Sequence, residues 1–223
     1  MTAKVMILAA GRGERMRPLS DDVPKPLLVA GGKPLIVHLI ESLARAGLHE
    51  ITVNHSHLGE QIVSYLGDGQ RFGAHIRYSH EEGGGLETGG GIFKALPLVD
   101  SDPFIVINGD IWTDYPFQKL PPRLDGLAHL VLVDNPPQHS EGDFYLNNGK
   151  IAATGSARLT FSGIGVYARA LFAECRPGKF QLAPLLRAAA ARGLVSAEHY
   201  TGRWSDVGTP ERLLALDREL RKL

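Results

Sequence analysis

Residues 4–26 read KVMILAAGRGERMRPLSDDVPKP and hold the chain's clearest set of groups for binding a polyanion. An apolar run from Val5 to Ala10 has the character of a short buried strand. It ends in Gly11-Arg12-Gly13, where two glycines free the backbone to turn sharply. Backbone N–H groups in such a turn point into one space and can cradle phosphate oxygens. Arg15, Arg17 and Lys25 bring three cations to the segment, opposed only by Glu14 and the Asp21-Asp22 pair. The two glycines equally suit a plain strand-to-helix turn, so that reading stays open on them alone. A dinucleotide fingerprint is excluded, because Met16 stands where its third glycine belongs and the next strand, Ile51 to Asn54, runs into His55 instead of an acid. No G-x-x-x-x-G-K-[ST] phosphate loop is present.

Further groups with chemical potential lie downstream. Phe104-Ile105-Val106-Ile107 is the most hydrophobic strand candidate and ends in Asn108-Gly109-Asp110. A carboxylate there falls at the carboxyl end of a central strand, where open α/β sheets bind ligands. Asp206 lies in Trp204-Ser205-Asp206-Val207-Gly208-Thr209-Pro210, with Thr209 placed to cap a last helix and Pro210 to start it. Taken singly, both aspartates also fit turns or caps. Glu81–Gly91, EEGGGLETGGG, reads either as a flexible loop or as a second backbone wall close to a flat ligand. Helix is expected only from Ile92, ending at Pro97. His55 and His57 lack a third ligand at metal spacing, and no base accompanies Cys175, a free thiol.

The elements that must position these groups alternate strand and helix through residue 110, which predicts a mostly parallel α/β sheet flanked by helices. Strands are expected over 50–54 and 76–78, helices from Leu35 to Gly47 and over 59–66. From Ala128 the pattern turns β-rich: a strand at 130–133, a hairpin around Asn147-Asn148-Gly149, and a strand from Leu159 to Tyr167. A helix over 181–191 and a strand over 195–200 follow. The whole is expected to be one domain, 1–223, in three parts: an alternating 1–127, a β-rich 128–203, and a closing segment, 204–223. A chain of 223 residues buries enough core to fold without disulfides. Lys+Arg and Asp+Glu are 24 each, so no basic excess supports nucleic-acid or membrane binding. The lack of a signal-like or 18-residue apolar stretch predicts a cytoplasmic protein, and no coiled-coil pattern argues against a monomer.

Leu8-Ala9-Ala10-Gly11-x-Gly13-x-Arg15-Met16-x-Pro18-Leu19, followed by Pro24-Lys25-Pro26-Leu27, resembles the signature of the sugar-1-phosphate nucleotidyltransferases. Asp110 and W-x-D-x-G-T-P match further family positions. The resemblance implies a Rossmann-like nucleotidyltransferase fold without a β-helix domain, with 1–127 mainly nucleotide-binding, 128–203 mainly a small sugar-binding lobe, and 204–223 closing the site. It implies a nucleotide held by Leu8, Ala10, Gly11, Arg12, Gly13 and Lys25 on one side and by Glu87, Thr88 and Gly89 on the other. It implies Mg²⁺ bound by Asp110 and Asp206, catalytic roles for Arg15, Lys25 and Asp110, and a sugar beside Asn108, Gly142, Ser162 and Gly163. Phe161 and Ser156 depart from the N-acetylglucosamine 1-phosphate branch, so an altered sugar pocket is expected. Within the family the resemblance points to uridylyl transfer from UTP to N-acetylmuramic acid 1-phosphate, in peptidoglycan recycling. Guanylyl transfer to mannose or heptose 1-phosphate, or a non-catalytic nucleotide-sugar sensor, are the alternatives. A muramyl sugar adds a lactyl carboxylate, for which Arg158 and Arg203 are the candidate cations.

Overall fold

Alternation along one short strand sets the two faces of the sheet. In a computed structural model, which describes residues 3–222 and so leaves the outermost positions of the expected 1–223 domain aside, β1 (Val5–Leu8) is nearly enclosed. Val5 and Ile7 point into one apolar core and Met6 into another on the opposite face, as a period of two requires. The first core packs against α2 (Leu35–Arg45), whose Ile36, Leu39, Ile40 and Leu43 recur at helical spacing. The second packs against α4 (Glu87–Val99) and α5 (Leu182–Ala191).

The remaining elements follow in chain order. A one-turn helix, α1 (Leu19–Asp22), and a small ribbon of β2 (Val29–Ala30) and β3 (Lys33–Pro34) precede α2. Then come β4 (Glu50–His55), α3 (Gly59–Leu66), β5 (His75–His80), α4, β6 (Phe104–Asn108) and β7 (Ile111–Thr113). The second half supplies β8 (Ala128–Val133), β9 (Phe144–Asn147), β10 (Lys150–Ala152), β11 (Arg158–Tyr167), α5, β12 (Val195–Tyr200), β13 (Trp204–Asp206) and α6 (Pro210–Leu220).

Nine strands form one sheet in the order β5-β4-β1-β6-β11-β8-β12-β10-β9. From β5 to β6 all pairings are parallel, as the strand–helix alternation predicts. Beyond β6 the sheet is mixed: β11 runs antiparallel to both β6 and β8, while β12 is parallel to β8. The β-rich part therefore continues the sheet of the first half, and the β9–β10 hairpin forms its far edge. A register shift between Phe161 and Ile164, at left-handed Gly163, interrupts the pairing of β11 with β8. No helix among the described residues is long and apolar enough to cross a membrane.

Helix α4 corrects the expectation that glycines delay the helix and Pro97 ends it: it takes in Gly89–Gly91 and continues to Val99. Close packing explains the glycines. A Cβ at Gly89 would lie 2.5 Å from the Phe180 ring, and one at Gly90 2.2 Å from the Gly178 carbonyl. Pro97 falls in the last turn, where it forgoes one N–H to i−4 bond and only Leu98 and Val99 follow it in the helix. Thr209 caps α6 as expected, its side chain accepting from the Arg212 N–H at 3.4 Å. Thr209→Ala should remove about 1 kcal/mol at most and lower Tm by about 2–4 °C, read by calorimetry.

Candidate active site

The carboxyl ends of β1, β4, β5 and β6 open on a cavity of about 330 Å³. Leu8, Ala9, Ala10, Gly11 and Arg12 form one side. Gly84, Gly85, Glu87 and Thr88 face them, and Asn108, Gly109 and Asp110 form the floor. The turn after β1 works through Gly13, whose φ of 65° is left-handed. Its carbonyl accepts from the Met16 N–H and from Ser20 Oγ, both at 2.8 Å, which closes the turn. A Cβ at Gly13 would press on Lys25 Cβ at 3.1 Å, so Gly13 supports the lysine from beneath. A Cβ at Gly11 would meet no protein atom within 4 Å, leaving room for a ligand against the backbone.

Lys25 is buried, and its Nζ donates to Asp110 Oδ2 at 2.6 Å. An ammonium has three donors, so two remain for other oxygens. Asp110 reaches this place because Gly109 lets the chain pass tightly under β1: the Gly109 N–H donates to the Leu8 carbonyl at 2.8 Å, and a Cβ there would lie 2.6 Å from that oxygen. Asp206 comes from the other end of the chain. Strand β13 pairs antiparallel with β7, setting Asp206 opposite Ile111, and the Val207 N–H donates to the Asp110 carbonyl at 3.0 Å. Two aspartates 96 positions apart (206 − 110) thus lie on neighbouring backbone. The Asp206 carboxylate accepts from Arg212 Nη1 at 2.5 Å.

Arg15 departs from expectation. It is exposed and outside the cavity lining; Arg12 is the guanidinium on the wall. After Gly13 the chain makes a single 3₁₀ turn, Glu14–Met16, that buries Met16 and so turns Arg15 to solvent. Ser162 also departs. Its side chain is fully buried, donating to the Val131 carbonyl at 2.7 Å and accepting from the Ile164 N–H, and so cannot reach a sugar. Gly163 packs on Asn108 and Gly142 on Asn135 and Arg158; neither lines a cavity, and both act through the shape of the backbone. Gly89 likewise serves contact with Phe180.

A second cavity of about 400 Å³ shares Glu87, Thr88 and Asn108 with the first. Its other walls are Asp143, Phe144, Phe161, Gln181, Leu182, Ala183, Leu186 and Arg187. Phe161 therefore sits where an altered pocket was expected, whereas Ser156 is exposed and outside the lining. Glu87 lies between the cavities in a left-handed conformation, φ 58°, that non-glycine residues rarely adopt. Lys179, 3.9 Å from Glu87, reaches the first cavity from the loop before α5. That loop is tied to α4 by the Gly90 N–H to the Phe180 carbonyl and the Phe180 N–H to the Leu86 carbonyl.

The sequence reading missed a buried brace behind the first cavity. Asn54 Oδ1 accepts from the Ala9 N–H at 2.7 Å, and Asn54 Nδ2 donates to Glu81 Oε1 at 2.6 Å. Glu81 Oε2 accepts from the Leu86 N–H at 2.7 Å. This chain joins the glycine turn to the opposite loop and fixes the cavity's width. The available signal was a polar residue at the carboxyl end of two consecutive parallel strands. A Cβ at Gly91 would lie 2.4 Å from Glu81 Oε1 and 2.9 Å from Asn54 Nδ2. Gly91→Ala gains about 1 kcal/mol of helix propensity but forces a buried carboxylate off its partners, which costs more. The expected net loss is about 1–3 kcal/mol, seen in urea melts, with a raised KM for the nucleotide.

Fold and site together define a nucleotide-dependent transferase: a glycine turn and cations at the switch of a parallel sheet, two aspartates joined by a ribbon, and a second cavity opening beside the first. The chain belongs to the nucleotidyl transferase family, whose profile matches residues 4–144. It is 48% identical over 221 residues to the N-acetylmuramate alpha-1-phosphate uridylyltransferase of Neisseria meningitidis serogroup B, covering 94% of this chain and 95% of that one. The Caulobacter vibrioides enzyme of the same name is 32% identical, with 96% of each chain covered. Among solved structures, a Bacillus anthracis protein assigned as a glucose-1-phosphate thymidylyltransferase superposes with a TM-score of 0.85 at 24% identity, over 99% of this chain and 96% of that one.

Proposed function

We propose that the protein transfers a uridylyl group from UTP to N-acetylmuramic acid 1-phosphate, releasing pyrophosphate and forming the UDP-sugar. The observation that carries this reading is the pair of joined cavities, one walled by backbone and cations, the other by Phe144 and Phe161, meeting at Asn108 beside Lys25 and Asp110. The near-full-length likeness to two uridylyltransferases of that name supports the choice of base and sugar.

The sugar phosphate oxygen attacks the α-phosphorus of UTP. A new P–O bond forms as the bond to the bridging oxygen of the β-phosphate breaks, and pyrophosphate leaves with the electron pair. No general base is required, because a phosphate dianion is already nucleophilic. The obstacle is repulsion between two anions together with charge on the leaving group, so positioning and fixed positive charge are the catalytic means. Lys25 offers its two remaining N–H groups to the α-phosphate or the attacking phosphate. Backbone N–H groups of the 11–13 turn, with Arg12 on the wall and Arg15 in solvent beyond it, receive the β- and γ-phosphates. Glu87, Thr88 and the 84–85 backbone face the base across the cavity that the Asn54–Glu81 brace holds open.

The donor set fits Mg²⁺. Asp110, in the turn before β7, and Asp206, at the end of the β13 that pairs with β7, are hard oxygen ligands, and a cation completed by substrate phosphates needs only one or two protein carboxylates. When bound, Mg²⁺ orients the two phosphates and neutralises their charge. The protein is expected to act as a monomer in the cytoplasm, where UTP is available. The test is pyrophosphate release with Mg²⁺, crossing UTP, GTP, dTTP and CTP against N-acetylmuramic acid, N-acetylglucosamine, glucose and mannose 1-phosphates. Turnover centred on UTP with the muramyl sugar is expected. Preference for GTP with mannose 1-phosphate would replace the substrate pair, and binding without release would indicate a sensor.

A further inference from the structure

The second cavity is lined by an exposed cation, Arg187, that has no ion-pair partner among the described residues. Arg187 lies on the face of α5 that also presents Leu182, Ala183 and Leu186 to the cavity, a spacing of i, i+1, i+4 and i+5. Leu182 and Leu186 are buried, so they hold this face of the helix against the pocket and leave Arg187 at its rim. Among the described residues, no carboxylate lies within 4.0 Å of the Arg187 guanidinium. The acidic groups nearby are already committed. Asp143 accepts from the Phe161 N–H at 2.8 Å and pairs with His139 at 3.0 Å, while Glu87 faces Lys179.

The two arginines favoured from sequence are occupied elsewhere. Arg203 pairs with Asp114 at 3.0 Å and with Glu219 at 3.6 Å. Burial acts to raise the Asp114 pKa, but hydrogen bonds from Tyr200 and Arg203 and the Arg203 charge together hold it below the usual range, so this pair is ionised at neutral pH. Arg158 is exposed and lies over the Tyr145 ring at 5.0 Å.

We propose that Arg187 is the specificity residue that recognises a carboxylate on the sugar's ring substituent, the group distinguishing a muramyl from a plain N-acetylhexosamine 1-phosphate. This rests on the sugar assignment above. A sugar whose phosphate lies at the Asn108 end lays its ring along Phe144 and Phe161 and extends a substituent toward the rim. A guanidinium fork matches a carboxylate in two parallel hydrogen bonds.

The experiment compares N-acetylmuramic acid 1-phosphate with its lactyl carboxamide, an uncharged substrate of the same shape, in the wild type, Arg187→Gln and Arg187→Lys. The wild type should prefer the acid on the order of 10- to 100-fold in kcat/KM. Arg187→Gln should erase that preference through the KM for the acid, and Arg187→Lys should restore part of it. A preference kept by Arg187→Gln, or an equal loss on both substrates, overturns the inference and leaves the reaction assignment standing. If the wild type does not turn over the muramyl sugar at all, the assignment falls and this inference with it.

Discussion

Asp110→Asn is expected to lower kcat/KM on the order of 1,000-fold. Asparagine keeps the shape of the side chain and can still accept from Lys25, and the main-chain bond from Val207 to residue 110 does not depend on the carboxylate. The fold should therefore hold, and melting should stay close to wild type. What is lost is the negative charge that, on the proposed reading, would hold Mg²⁺. Two measurements separate this from simple damage. The Mg²⁺-dependent part of UTP affinity, read by calorimetry with and without the ion, should vanish, and raising Mg²⁺ should not restore turnover. Asp206→Asn should share the phenotype, because β13 brings it beside Asp110. Unchanged turnover in both variants would refute the metal assignment.

Lys25→Ala should cost about 100- to 1,000-fold, chiefly in kcat. The side chain is 9% exposed and the Asp110 carboxylate 35% exposed, so removing the lysine leaves no buried unpaired charge. The protein should fold, and the loss belongs to the reaction. Lys25→Arg should not rescue it. The lysine stem packs over Gly13, and a planar guanidinium cannot replace a compact ammonium aimed at both Asp110 and a phosphate oxygen. Near-wild-type turnover in Lys25→Arg would show that only charge, without position, matters here.

The local elements were largely legible. Helix α3 falls on its expected residues, and the 144–152 hairpin forms at Asn148-Gly149, where the turn residues favour it. Hydrophobic period and turn chemistry act over a few neighbours, and a sequence displays both. The turn after β1 was legible for the same reason, since strand and glycines are contiguous. Helix α4 was misread because glycine weakens a helix in isolation. In the folded protein, contacts with Phe180, Gly178 and Glu81 leave no room for any other residue. The exposure of Arg15 was not legible, because one 3₁₀ turn, too short to predict, decides which side chain faces the core.

By itself the sequence determined that this is an α/β nucleotidyltransferase with a glycine turn after its first strand, a lysine shortly beyond it and an aspartate closing a central strand. Those features are local, and their residue types have few other uses at that spacing. Only the tertiary structure decided how the β13–β7 ribbon brings Asp206 to Asp110, that Asn54 and Glu81 brace the cavity, and that Lys179 and Arg187 line the two cavities. Each of these depends on pairing between segments far apart in the chain, and such pairing is set by how the sheet closes and its faces are covered, which no window of sequence contains.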